Sequence, residues 1–295
     1  MITDDTVDAY LHRLGVPRPP RPTVDALRRL HRAHVERVPY ENLEIQLGRP
    51  TTVDPEASIA RILAGGGGYC FHLNGAFATL LAALGYQVRW HLGGVQSRTD
   101  EQPPGATGNH LALTVRCEGE ELLVDVGLGD GLHEPLPLRA GTYRQGPLEY
   151  RLEPSAVVPG GWRLHNDPGG SFLGMDFSPD PAGPADFVEQ HRWLSTSPDS
   201  PFVRALCAQL RDADGYRLLR GLVLVRLGAE GRKVRELTSA DEWFATLEEV
   251  FGLSAAGLTP ARRAALWSKV LATHRAWQLA GAPAPAAREP EHSEA

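Results

Sequence analysis

The feature that most constrains this chain is a single change of hydrophobic period near residue 86. Upstream, apolar residues recur at the three- and four-residue spacing of a helix face. Downstream they fall on every second position, the pattern of a half-buried strand. A chain of 295 residues that switches period in this way must pack helices against a sheet, which places it in the α+β class.

The helical part opens with Val7, Tyr10, Leu11 and Leu14 on one face, closed by Gly15. Thr23 caps a second helix with Leu27, Leu30 and His34 on one face. Asp54-Pro55 is a cap followed by proline in the first turn, opening a third helix with Ile59, Ile62 and Leu63. Gly65 to Gly68 end it. A fourth helix starts at Cys70 and runs through Phe77, Leu80, Leu81 and Leu84 to Gly85. Strands are expected where Val88, Trp90 and Leu92 alternate with Gln87, Arg89 and His91, and again in 110–116 and 121–127. Asp167-Pro168-Gly169-Gly170 suits a tight hairpin turn. From about residue 190 the pattern predicts a helix around Phe202 to Leu210 and a strand pair around Leu222–Leu227 and Val234–Leu237. A helix with the capping box Ser239-x-x-Glu242 and a last helix from Thr259-Pro260 follow. The expected divisions are a helical domain (1–86), a β domain (87–190), a third domain of mixed helix and strand (191–280) and a disordered tail rich in small and acidic residues (281–295).

Three residues suggest chemistry. Cys70 lies between a glycine run and a helix start, where unpaired N–H groups and the positive end of the helix dipole favour thiolate, the nucleophilic form. His110 and Asp125 stand on strands joined by a turn around Glu118-Gly119. An even loop would pair 112 with 125 and put His110 and Asp125 on one face as diagonal neighbours about 7 Å apart at the backbone. An odd loop would separate them. Asp125 sits among Leu122, Leu123, Val124 and Val126, where a bare carboxylate is costly unless a donor meets it. Nucleophile, base and orienting carboxylate together reach thiol-dependent acyl transfer or hydrolysis, and no further.

The segment Gly67-Gly68-Tyr69-Cys70-Phe71-His72-Leu73-Asn74 resembles the Arg-Gly-Gly-x-Cys motif of the arylamine N-acetyltransferase family, followed by a polar residue and Asn. The likeness continues through Pro39-Tyr40-Glu41-Asn42-Leu43, Asn109-His110-Leu111, Asp125-Val126-Gly127-Leu128-Gly129 and Ser195-Thr196-Ser197-Pro198-Asp199-Ser200-Pro201-Phe202. The resemblance implies a three-part, papain-like arrangement of helical bundle (1–86), β-barrel (87–190) and α/β lid (191–280) with a Cys-His-Asp triad of Cys70, His110 and Asp125. It also implies acetyl-CoA as acyl donor, an acetyl-cysteine in a ping-pong cycle, and a small aromatic amine or hydrazine as acceptor, with no metal. Tyr69, Phe71, Asn109, Gly127, Leu128, Gly129 and Phe202 are the expected substrate- and CoA-binding residues. An amide synthase using a bulkier acyl thioester in natural-product biosynthesis, and a thiol hydrolase, are the alternatives.

The sequence departs from that pattern at three places. The arginine before the paired glycines is Gly66, so an ion pair with Glu41 is absent or supplied from elsewhere. Leu128 replaces an aromatic, removing a stacking surface, and Asp130 adds a charge nearby. His72 stands where glutamate or glutamine is usual and is expected to be a solvated histidine on the first helical turn. The arginines from Arg13 to Arg32 are expected on a solvated face, and Cys117 and Cys207 in packing roles. Gly65 to Gly68 lack the Gly-Lys-Ser/Thr of a phosphate loop. A formal charge of −6 gives no basic field for nucleic acid or anionic lipid. With no apolar run long enough to span a bilayer and no cationic leader, the chain is expected to be cytoplasmic, with a homodimer as one assembly open to it.

Overall fold

The structure, a computed structural model, describes residues 2–49 and 51–280; the expected tail, 281–295, lies outside them. The first part contains α1 (Asp4–Leu14), α2 (Val24–Arg37), β1 (Tyr40–Glu41), α3 (Leu43–Gln46), α4 (Pro55–Leu63) and α5 (Cys70–Ala83). The predicted caps form: Thr23 accepts the Ala26 N–H and Asp54 that of Glu56. Apolar around most of its circumference, α5 is buried through Leu73, Ala76, Phe77, Leu80 and Leu81 and packs against α4 and two strands of the following sheet.

Those strands belong to an antiparallel sheet of β2 (Gln87–Ser97), β3 (His110–Cys117), β4 (Glu120–Val124), β5 (Leu136–Pro137), β6 (Gly141–Gln145), β7 (Leu148–Pro154), β8 (Trp162–His165) and β9 (Phe172–Phe177). Its order is β5-β4-β3-β2-β9-β8-β7-β6. The edge strands β5 and β6 are consecutive in the chain, and the Tyr143 hydroxyl of β6 reaches the Pro137 carbonyl of β5 (3.5 Å), so the two edges lie beside each other and the sheet is a nearly closed barrel. The expected hairpin turn at 167–170 joins β8 to β9. In β3 the period of two survives as a division between two cores. Leu111, Leu113 and Val115 pack with the helices, and Ala112 packs with the barrel interior.

The β3–β4 turn decides the candidate site. Cys117 pairs with Glu120 and Leu113 with Val124, leaving the two-residue loop Glu118-Gly119. Both loop residues have positive φ, 51° and 81°, as a type I′ turn requires. The loop is even, and the same register carried one step further sets residue 112 against 125.

The last part comprises a 3-10 turn (Pro184–Phe187), α6 (Val188–Thr196), α7 (Pro201–Arg204), β10 (Cys207–Asp212), β11 (Gly215–Arg220), β12 (Val223–Gly228), β13 (Gly231–Glu236), α8 (Ala240–Phe251) and α9 (Pro260–Leu279). The expected strand pair forms, with Val225 opposite Val234, and Ser239 and Thr259 cap the final helices. The helix expected over 202–210 does not: it ends at Arg204, and β10 follows. Leu206, Ala208 and Leu210 alternate into the core, and β10 is held by β11 on one side and by β1 on the other, through Tyr40–Gln209 and Glu41–Ala208. The short apolar run 205–208, with Leu210 beyond Gln209, fits either period, and distant partners chose the strand. Strand β1, invisible to periodicity, thereby ties the first part of the chain to the last.

Helix α2 buries two histidines. His31 Nδ1–H donates to the His133 carbonyl (2.9 Å), and His34 Nε2 meets the Tyr10 hydroxyl (2.9 Å). Burial lowers their pKa values to about 4 and about 3. The unfolded chain therefore takes up protons below pH 6.5 while the folded one does not, and stability must fall on acidification. Thermal unfolding should lose on the order of 1–2 kcal/mol per histidine between pH 7.5 and pH 5. A midpoint that is flat or rises on acidification across that window would contradict this.

Candidate active site

Cys70 is the first residue of α5, 3% exposed, with Sγ 3.9 Å from the Asn109 carbonyl oxygen. The helix start packs tightly on the segment after β4: a Cβ on Gly127 would lie 2.7 Å from the Cys70 Cα, so that position has no room for a side chain. His110 opens β3. Its Nε2–H donates to Asp125 Oδ2 at 2.7 Å, leaving Nδ1 for Cys70. The imidazole is 2% exposed and the carboxylate 1%. Burial by itself would lower the His110 pKa, but the charges of Asp125 and Cys70 and the hydrogen bonds to both raise it to about 10. A thiol, an imidazole and a carboxylate so aligned can share and relay one proton, which is what activating a sulfur nucleophile requires.

The Asp125 carboxylate is met by donors on both oxygens. Oδ1 accepts from Asn74 Nδ2 (2.8 Å) and from the Gly127 N–H (2.9 Å). Asn74 also donates to the Leu111 carbonyl (2.6 Å) and accepts the Val126 N–H (2.9 Å), stitching α5 to β3 and to the segment after β4. His31 Nε2 accepts the Asp125 backbone N–H at 3.3 Å. Asn74 belonged to the sequence motif but carried no assigned role, and His31 gave no signal beyond lying on a helix. Only the fold brings either to Asp125.

His72 corrects an expectation. It is 2% exposed, not solvated, and its Nδ1 accepts the Tyr69 N–H (3.3 Å), the capping contact that glutamate or glutamine makes from this third helical position. Burial, with Arg61 and His191 nearby, drives its pKa well down, so the ring is neutral. Asp130 is likewise withdrawn from solvent, accepting the Ser171 N–H (2.5 Å) and hydroxyl (2.6 Å), and its pKa is raised by burial. Cys117 is buried in the helical core and Cys207 is half-buried, its sulfur accepting from Gln209 Nε2 (3.3 Å).

The other candidate residues lie around this centre. Tyr69 is buried between Phe71 and Phe202, at ring separations of 5.6 and 4.8 Å, and its hydroxyl meets His191 Nδ1. Phe71 packs on Phe187 at 5.1 Å. Asn109 Oδ1 accepts the Val95 N–H (2.8 Å), fixing the chain just before His110. Leu128 is 6% exposed and joins the barrel core, while Gly129 passes close to Gln209. Among the described residues no three His, Cys, Asp or Glu side chains are grouped to hold a metal ion, and no helix is long and apolar enough to cross a membrane.

The profile of the N-acetyltransferase family matches residues 23–258. The arylamine N-acetyltransferase / N-hydroxyarylamine O-acetyltransferase of Salmonella typhimurium is 34% identical over 255 residues, covering 83% of this chain and 88% of that protein. The arylamine N-acetyltransferase of Mycolicibacterium smegmatis is 34% identical over 237 residues, covering 75% and 82%. Among solved structures, the Mycobacterium abscessus arylamine N-acetyltransferase superposes with a TM-score of 0.80 at 30% identity, covering 90% of this chain and 94% of that one. The Mycobacterium marinum arylamine N-acetyltransferase in complex with CoA also gives 0.80, at 29% identity, covering 90% and 98%.

Two outcomes follow from the Asp125 contacts. Asn74→Ala removes one of the two donors to Asp125 Oδ1, the amide donor to the Leu111 carbonyl and the acceptor of the Val126 N–H, and should cost about 2 kcal/mol in denaturant unfolding. A loss below about 0.5 kcal/mol would show that water replaces the amide. The His110 contribution is fully present below pH 6.5 and disappears as pH rises through about 10, so stability should decline over that interval. The decline should be shallower in Asp125→Asn; equal slopes would separate the two residues.

Proposed function

The chain belongs to the arylamine N-acetyltransferase family and is an acyltransferase; from that premise we propose that it moves an acetyl group from acetyl-CoA through a thioester on Cys70 to an arylamine or hydrazine. The observation that carries this reading is the 2.7 Å bond from His110 to a fully buried Asp125, in a histidine whose other side faces the sulfur at the start of α5. In the first half-reaction the Cys70 sulfur, its proton held by His110, attacks the acetyl carbonyl carbon. The carbon–sulfur bond to CoA breaks, and the departing CoA thiolate takes the proton from the imidazolium. In the second, the acceptor nitrogen attacks the acetyl-cysteine carbonyl, His110 removes the nitrogen's proton, and Cys70 leaves. Asp125 keeps Nε2 protonated and the ring oriented throughout, so that Nδ1 is the exchanging nitrogen. CoA as donor is supported by the CoA complex of the Mycobacterium marinum relative.

Tyr69 and Phe202 form an aromatic wall beside the cysteine, and we assign it to the acceptor side of the reaction. The barrel-core position of Leu128 leaves that wall without a ring from the segment after Asp125.

Intact-mass measurement after mixing with acetyl-CoA should show one added acetyl group, mapping to Cys70 and discharged by an arylamine such as 4-aminobenzoate or by a hydrazine. Cys70→Ala should abolish it. Asp125→Asn should retain the fold but lower the acylation rate by about 10⁴-fold, the loss seen when the aspartate of a serine-protease triad is so replaced. Labelling at Cys117 or Cys207 instead, or near-normal acylation of Asp125→Asn, would remove the respective residue from this mechanism.

A further inference from the structure

Arg61, in the last turn of α4, reaches the loop that delivers Cys70. Its Nε–H donates to the Gly67 carbonyl at 2.9 Å. On the other side of the same peptide segment, Glu41 accepts the Gly67 N–H at Oε1 (3.3 Å) and the Leu43 N–H at Oε2. Glu41 also donates its own backbone N–H to the Gly68 carbonyl (2.9 Å). Gly67 is pressed so closely on β1 that a Cβ there would fall 1.9 Å from the Pro39 oxygen. Two residues later Tyr69 caps α5, and Cys70 begins it. Whatever fixes Gly67 therefore fixes the sulfur.

Glu41 is 4% exposed; burial raises its pKa, opposed by the Leu43 N–H, by the charge of Arg61 and by the Gly67 N–H. The position from which the family motif would supply an arginine, 66, is glycine. Its backbone φ lies outside the left-handed range, so conformation does not demand glycine there. The space is tight. A Cβ on Gly66 would lie 3.0 Å from Arg61 Cγ and 3.2 Å from the Arg61 carbonyl, so a side chain at 66 would have to push the Arg61 stem aside. Glycine at 66 and arginine at 61 are two halves of one arrangement.

We propose that Arg61 is a positioning residue for Cys70, supplying from α4 the guanidinium that the Gly-Gly-x-Cys motif of this chain lacks, and holding the nucleophile's loop through Gly67 and Glu41. The proposal rests on Cys70 being the nucleophile, and its test separates the two. Cys70 alkylation by iodoacetamide, which needs no acetyl-CoA, is measured from pH 5 to 9 alongside acetyl-Cys70 formation, with circular dichroism to verify folding. The proteins compared are the parent, Arg61→Ala, Gly66→Arg and the double variant.

Arg61→Ala should slow both reactions by about tenfold or more, because sub-ångström displacement of a reacting group is enough for such losses. Gly66→Arg alone should also slow them, since its stem must displace that of Arg61 from Gly67. The double variant should be faster than either single variant, a coupling that generic destabilisation does not produce. If Arg61→Ala does not fold, recovery of the fold in the double variant demonstrates the same coupling, and its absence overturns the proposal. A folded Arg61→Ala that reacts within about twofold of the parent, or a double variant no better than Arg61→Ala, overturns it as well. Alkylation without acetylation in the parent would instead sink the acetyl-CoA reading and leave Arg61 standing.

Discussion

A carboxylate with almost no solvent contact is among the most demanding groups a fold can contain, because each of its oxygens must be given donors before its burial is tolerable. Asp125 meets that demand with His110 from β3, Asn74 from α5 and the Gly127 amide from its own segment, while His31 of α2 takes its backbone N–H. The helical part and the barrel therefore cannot slide relative to each other without exposing an unpaired charge. The same bonds that lock the interface orient the imidazole, so stability and chemistry draw on one network.

A second set of contacts closes the chain from the far side. Asn42 donates to the Phe202 and Ala205 carbonyls (2.9 and 2.8 Å) and accepts the Cys207 N–H (2.8 Å). Together with β1 pairing to β10, this fastens the last part of the chain beside the loop that carries Tyr69 and Cys70. Buried Arg211 reaches from β10 to the Gly131 and Gln145 carbonyls (3.1 and 2.7 Å), joining the last part to the barrel. The site is thus enclosed by elements from three stretches of sequence, each fixed to the other two by hydrogen bonds to backbone.

Departures from the family pattern are absorbed locally. His72 caps α5 as a neutral ring where an acid or amide would, its unprotonated Nδ1 providing the acceptor. Asp130 is neutralised in effect by two Ser171 donors. At Gly66 the missing side chain is matched by Arg61 in the space it vacates. In each case the physical requirement persisted while the residue meeting it changed.

Most of the helical part was legible in the sequence because its signals are local: caps, turn glycines and three-four periodicity act within a few residues. The turn around Glu118-Gly119 was legible as well, but its even length, on which the His110–Asp125 juxtaposition depends, was decided by the structure. The sequence could nominate Cys70, His110 and Asp125 but could not show how they meet. That Asn74 and His31 serve Asp125, and that Arg61 and Glu41 grip Gly67, depends on side chains up to 94 residues apart meeting in space. Segment 206–210 shows the limit most plainly. Its apolar residues suit a helix or a strand equally, and only the backbone partners offered by β1 and β11 made it a strand. His72 was misjudged for a related reason. Exposure is a property of what packs against a helix, and Tyr69 and His191, which cover it, are brought there by the tertiary structure.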